Sequence, residues 1–158
     1  MSTDYIALAA DLKALLGEER DWLANSANTC ALIYERLDRL NWAGFYFLRG
    51  EELVLGPFQG KPACVRIALG RGVCGTAAKE RETQLVEDVH QFPGHIACDA
   101  ASNSEIVVPL LDGDRLIGVL DLDSPEKGRF TDVDREGLER LAAIFVETSE
   151  LTGHGRLL

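Results

Sequence analysis

The chain has 158 residues, 46% of them hydrophobic, and sets 16 basic against 26 acidic side chains for a formal net charge of −10. That length supports one compact domain with a proper core and is short for two. The charge repels nucleic acid and anionic lipid over most of the surface, so neither is an expected partner.

The opening stretch MSTDYIALAADLK carries Asp4, Asp11 and Lys13 within its apolar run, unlike a signal peptide, and no later apolar run approaches a membrane span. A cytoplasmic location is expected. There the four cysteines should be free thiols, and any disulfide transient and functional. No two of them stand as the C-x-x-C pair that zinc ribbons use.

Leu8, Leu12, Leu15 and Leu16 recur at helical spacing before Gly17, and Leu23, Ala27, Cys30, Tyr34 and Leu37 repeat at fours and threes, predicting two helices within 4–40. Cys30 lies on the second apolar stripe and reads as a buried small hydrophobe. From Asn41 the pattern turns to strands. AGFYFL and ELVL join around Arg49-Gly50-Glu51, CVRIAL follows, and TQLV comes after a short helical piece. Residues 90–104, HQFPGHIACDAASNS, keep neither period; a loop of that length in a compact domain is more often functional than idle, and it holds Cys98. EIVVPLL and RLIGVLDLD then flank Asp112-Gly113-Asp114 as a hairpin. A last helix begins near Asp132 with Leu138, Leu141, Ile144 and Phe145 inward and runs to about 150, leaving a tail over 151–158. The expectation is a single domain over 1–158, with its sheet and site loops in 41–131.

Residues 70–75, GRGVCG, fit the glycine spacing of a dinucleotide cradle. That cradle needs a βαβ unit and an acidic residue about 20 positions on, whereas the neighbours here read as hairpins and 90–95 is HQFPGH. Two readings stay open: glycines required only for a tight turn, or a turn that seats Cys74 in the first turn of a helix, where free N–H groups favour a thiolate and suit a substrate carboxylate.

In RLIGVLDLDSP, strand alternation puts Asp121 and Asp123 on one face with Ile117 and Val119, the two acids about 7 Å apart, and Leu116, Leu120 and Leu122 on the other. A three-residue loop of Asp112, Gly113 and Asp114 pairs Leu111 with Arg115 and sets Glu105 opposite Asp121, on the acidic face; a two-residue loop would turn Glu105 away. The first register segregates apolar from polar better and is the one expected. Gathered carboxylates repel one another, so one of them could stay protonated near neutrality as a general acid, and the group attracts an ammonium.

Cys64 at a strand start, Cys74 at the glycine turn and Cys98 in the long loop occupy positions from which side chains reach a site. They fit three readings: zinc held with His95, incidental thiols in a domain that binds a small effector, or thiol redox catalysis through a sulfenic acid and a disulfide. Only the last employs thiols and carboxylates together.

The segments NWAGFYF, LGPFQGKPACVRI, GVCGTA, DVHQFPGHIACDAASNSEIVVPL and GVLDLDSP resemble the free methionine-(R)-sulfoxide reductases, enzymes built on a GAF domain, across roughly 41–131. The resemblance implies an α+β fold: a six-stranded antiparallel sheet, helices on one side, a loop-covered substrate pocket on the other, and a homodimer. It implies Cys98 as nucleophile, Cys64 as resolving thiol and Cys74 as auxiliary or alternative. It implies Glu105, Asp121 and Asp123 as catalytic and substrate-binding acids, with Glu105 the first choice for proton donor, and Trp42 and Tyr46 as pocket aromatics. Thioredoxin is the implied reductant, and neither metal nor organic cofactor is required. The alternative is a GAF sensor that binds a small molecule without turnover.

Overall fold

The computed structural model of the chain describes residues 2–95 and 101–152. Helix α1, Tyr5–Leu16, starts where the Asp4 side chain accepts from the Ala7 N–H and stops at Gly17, whose φ of 55° leaves the helical region. Helix α2, Trp22–Arg36, is capped in the same way by Asp21 through the Ala24 N–H. Then come strands β1, Trp42–Arg49, β2, Glu52–Gly60, and β3, Arg66–Ala68, helix α3, Gly72–Glu80, and strand β4, Gln84–Val86. Strands β5, Ser104–Asp112, and β6, Arg115–Ser124, precede the last helix α4, Asp132–Thr148.

The six strands form one sheet in the order β3-β2-β1-β6-β5-β4. All five pairings between these strands are antiparallel. On one face α1, α2 and α4 bury Leu8, Leu12, Ile33, Leu138 and Phe145 against Phe45, Phe47, Ile106, Leu120 and Leu122. Cys30 belongs to this core, its thiol pushed up to about 11 by burial, in keeping with a structural role. The other face carries a smaller core in which α3 supplies Val73, Cys74 and Ala77 to Trp42, Tyr46, Ile67, Val107 and Val119. A cavity opens on this side.

Arg129, buried beyond β6, fastens the helical layer. It donates to the Asp38 carbonyl at 3.1 Å and to the carboxylates of Asp38 and Asp134 at 3.2 and 3.4 Å, and Asp134 also accepts the Tyr5 hydroxyl at 2.6 Å. One cation thus ties the chain after α2 and the first turns of α1 and α4 together. A buried guanidinium is tolerable only with partners of this kind.

The β5–β6 register corrects the expected one. Asp112 pairs with Arg115, so the loop has two residues, and Leu111 faces Leu116 rather than Arg115. A β-bulge follows at once: Leu110 pairs with Gly118, which leaves Ile117 as the extra residue on β6. The short loop would by itself have turned Glu105 to the helical core, and the bulge restores it. Glu105 therefore lies on the acidic face, but opposite Asp123, while Asp121 faces Val107. The same bulge exchanges two hydrophobes: Ile117 packs in the helical core and Leu116 on the pocket side, the reverse of simple alternation.

Gly118, next to the bulge, lets β1 approach β6 closely. A Cβ there would sit 2.1 Å from the Tyr46 carbonyl oxygen and 2.9 Å from the Phe47 Cα, backbone atoms that cannot swing aside. Gly118→Ala should cost about 3 kcal/mol, read as a lowered urea midpoint at unchanged slope. A midpoint within experimental scatter of the parent would show that β1 and β6 can separate there without loss.

Candidate functional site

The glycines of GRGVCG shape the pocket wall. Gly70 and Gly72 take φ of 84° and 61°, backbone that side-chain-bearing residues rarely adopt. Gly75 has room for no Cβ, since one would meet the Ala68 carbonyl oxygen at 2.5 Å. The turn closes with the Gly70 N–H donating to the Gly75 carbonyl at 2.8 Å. Helix α3 then starts at Gly72, so the N–H groups of its first turn lack intrahelical acceptors. The parallel βαβ unit that a dinucleotide site requires is replaced by an antiparallel sheet.

The cavity behind this turn encloses about 50 Å³. Trp42 and Tyr46 of β1, Cys74 of α3, Glu105 of β5, and Asp121 and Asp123 of β6 all line it. Four separate elements thus bring together six of the eight residues singled out in the sequence. Cys64 lies beside the wall residue Ala63, half-buried against the pocket-side core. It is engaged in a disulfide, whereas Cys30 and Cys74 are free. As it stands, Cys64 has no thiolate to offer zinc. Cys98 falls outside the described residues.

Trp42 and Tyr46 are fixed by their polar ends. The indole Nε1 donates to the Lys61 carbonyl at 3.1 Å and the phenol to the Cys64 carbonyl at 2.8 Å. Their rings stack at 6.0 Å, and Trp42 stacks again on Phe58 at 5.2 Å. The result is a rigid aromatic wall that also anchors the backbone at Cys64.

The electrostatics are one-sided. Glu105 is 7% exposed and Asp121 5%. Burial first, then the neighbouring charges of Asp121 and Asp123, push the Glu105 carboxyl well above the usual carboxylate range. Burial raises Asp121 too, while hydrogen bonds with Glu105 and Cys74 pull it back. The pair shares protons as a unit, with Glu105 the better holder. Cys74 departs from expectation. In place of a thiolate favoured by the helix terminus, its thiol is buried, and burial together with Asp121, Glu105 and Asp123 drives it well above the ordinary thiol range. Burial first, and then the charges of the three acids, outweigh the helix dipole here.

Sequence reasoning gave no pocket role to three polar wall residues. Arg71 stands exposed at the N-cap of α3, legible only as the middle of GRG. Ser102 accepts from the Asn41 side chain at 3.0 Å across a separation that no local pattern signals. His95, weighed in the sequence only as a zinc ligand, lines the cavity, its imidazole pushed down by burial and by His90 nearby. No helix among the described residues is long and apolar enough to cross a membrane.

Comparison with known proteins places this geometry. Residues 24–146 match the GAF domain family. The free methionine-R-sulfoxide reductase of Escherichia coli is 61% identical over 88% of this chain and 84% of its own. A solved structure of fRMsr of Staphylococcus aureus in reduced form superposes with a TM-score of 0.91 at 52% identity, over 93% of this chain and 96% of that one. A structure of free methionine-R-sulfoxide reductase from Neisseria meningitidis in complex with its substrate gives 0.89 at 43% identity, over 94% and 92%. The chain belongs to the free methionine-R-sulfoxide reductases, oxidoreductases built on a GAF domain.

Proposed function

We propose that the protein reduces free L-methionine (R)-sulfoxide to L-methionine with Cys98 as nucleophile. The observation that carries this reading is the buried Glu105, favoured in its protonated form and facing, with Asp121 and Asp123, a small cavity beside a cysteine already engaged in a disulfide. Family membership supplies the substrate class.

The Cys98 thiolate attacks the sulfoxide sulfur while Glu105 donates a proton to the departing oxygen. The protonated oxygen passes to the Cys98 sulfur as the transient bond between the two sulfurs breaks, so methionine leaves with its sulfur reduced by two electrons and Cys98 becomes a sulfenic acid. The Cys64 thiol condenses with it, releasing water and forming a disulfide, and an external dithiol, thioredoxin in the cell, restores both thiols by exchange. The other two acids of the wall, Asp121 and Asp123, take the α-ammonium. The first turn of α3 with Arg71 suits the α-carboxylate. A peptide-bound methionine has neither terminal charge, so it forfeits both contacts. Trp42 and Tyr46 wall the S-methyl group. The chemistry calls for no metal or organic cofactor, and the working assembly is a cytoplasmic homodimer.

The test is methionine release from the separated R and S diastereomers of free methionine sulfoxide, with dithiothreitol and fully reduced protein. Turnover of the R form alone supports the proposal. Turnover of neither by folded protein leaves a sensor that binds without reaction.

A further inference from the structure

We propose that Cys74, Glu105 and Asp121 together form a binding site for a thiophilic divalent cation of the zinc class, which blocks the pocket when bound. A sulfur from the first turn of α3 and one carboxylate oxygen each from β5 and β6 lie within 4.8 Å of one another. All three residues are buried and line one cavity. A second, independent feature points to a ligand: Asp121 is 5% exposed, yet its Oδ1 is buried without a hydrogen-bond partner. A buried carboxylate oxygen left in that state costs free energy that a cation would recover.

The donor set selects the metal. Thiolate plus carboxylate excludes magnesium and calcium, which take oxygen alone, and suits zinc or its spectroscopic substitute cobalt. A tetrahedral zinc with bonds of about 2.3 Å to sulfur and 2.0–2.2 Å to oxygen needs sulfur–oxygen separations of roughly 3.5 Å, so ligand atoms that lie within 4.8 Å of one another close by roughly 1.3 Å at most. Three protein ligands leave a fourth position for water. On binding, the thiol and the proton shared by the acid pair pass to solvent and nothing is oxidised. The resulting anions face a dication where before they faced one another. Asp123 adds negative charge on the same wall, and the wall's arginine, Arg71, stays exposed at the rim. The blocking of the pocket rests on the reaction proposed above; the binding does not.

The test titrates zinc calorimetrically into the full chain in its disulfide form, where Cys64 is engaged, and records cobalt spectra on the same sample. One ion per chain is expected, with a sulfur-to-cobalt charge-transfer band in the near ultraviolet. The band should vanish in Cys74→Ser, and zinc affinity should fall at least about tenfold in Asp121→Asn. Circular dichroism checks each variant's fold, and Asp121→Asn alone decides if Cys74→Ser fails to fold. No saturable binding, or a band and affinity that survive both substitutions, overturns the site. Turnover is not read in this experiment. A chain that binds zinc but releases no methionine therefore loses the proposed reaction and keeps the site, and the reverse result does the opposite.

Discussion

Cys98→Ser is expected to lower methionine release from free methionine (R)-sulfoxide by at least about 10⁴-fold, whereas Cys64→Ser should release a single equivalent per chain and then stall with thioredoxin as reductant. A serine hydroxyl at neutral pH has neither the ionisation nor the softness to displace oxygen from sulfur. The second half of the expectation rests on how differently the other two thiols are placed. Cys74 is enclosed, and burial together with the acids around it keeps its proton on; since resolution requires a thiolate, it is a slow attacker. Cys64 lies half-buried beside the cavity wall and is the one found in a disulfide, with its carbonyl held by the Tyr46 hydroxyl. Rapid-quench counting of methionine in the presence and absence of thioredoxin separates the cases. Sustained turnover by Cys64→Ser, with a stall in Cys74→Ser, would transfer the resolving role to Cys74.

How much of this was legible beforehand depends on the range of the forces involved. The leucine stripe of α1 and the strand alternation around Asp121 and Asp123 are local signals, and each leads to its observed element. The acidic face was legible because side chains on a strand alternate whatever the rest of the chain does. Its register was not. A two-residue loop and a one-residue bulge make opposite parity changes, so the face came out as expected with the wrong partner, Asp123 in place of Asp121 opposite Glu105. Nothing in RLIGVLDLD marks the bulge except Gly118, and the reason for that glycine is the backbone of β1, far away in sequence. The Arg129 network joins Asp38, Tyr5 and Asp134 across the whole chain and gave no local sign. Cys74 illustrates the limit on the chemical side. Its place at a helix start was readable, but its burial among three carboxylates was not, and burial decides its protonation.

Glu105→Gln should lower kcat/KM for free methionine (R)-sulfoxide by about 10²–10⁴-fold and at the same time make the protein more stable in alkali. The glutamine keeps the shape and hydrogen-bonding capacity of the protonated acid but has no proton to deliver to the leaving oxygen. In the parent, activity should decline as pH rises through the raised Glu105 value, because the acid is lost; that limb belongs to the coupled Glu105 and Asp121 pair and should disappear in the variant. The stability argument has a definite sign. A carboxyl whose pKa is raised by folding favours the native state fully at pH below its ordinary unfolded value, and that contribution is lost as pH climbs through the folded value. Glutamine never ionises, so Glu105→Gln should melt close to the parent in acid and a few degrees above it at alkaline pH. Paired pH series of kcat/KM and melting temperature test both halves. Parallel melting curves for parent and variant would mean that Glu105 ionises without penalty, and a residue of that kind has no claim to the proton that the reaction needs.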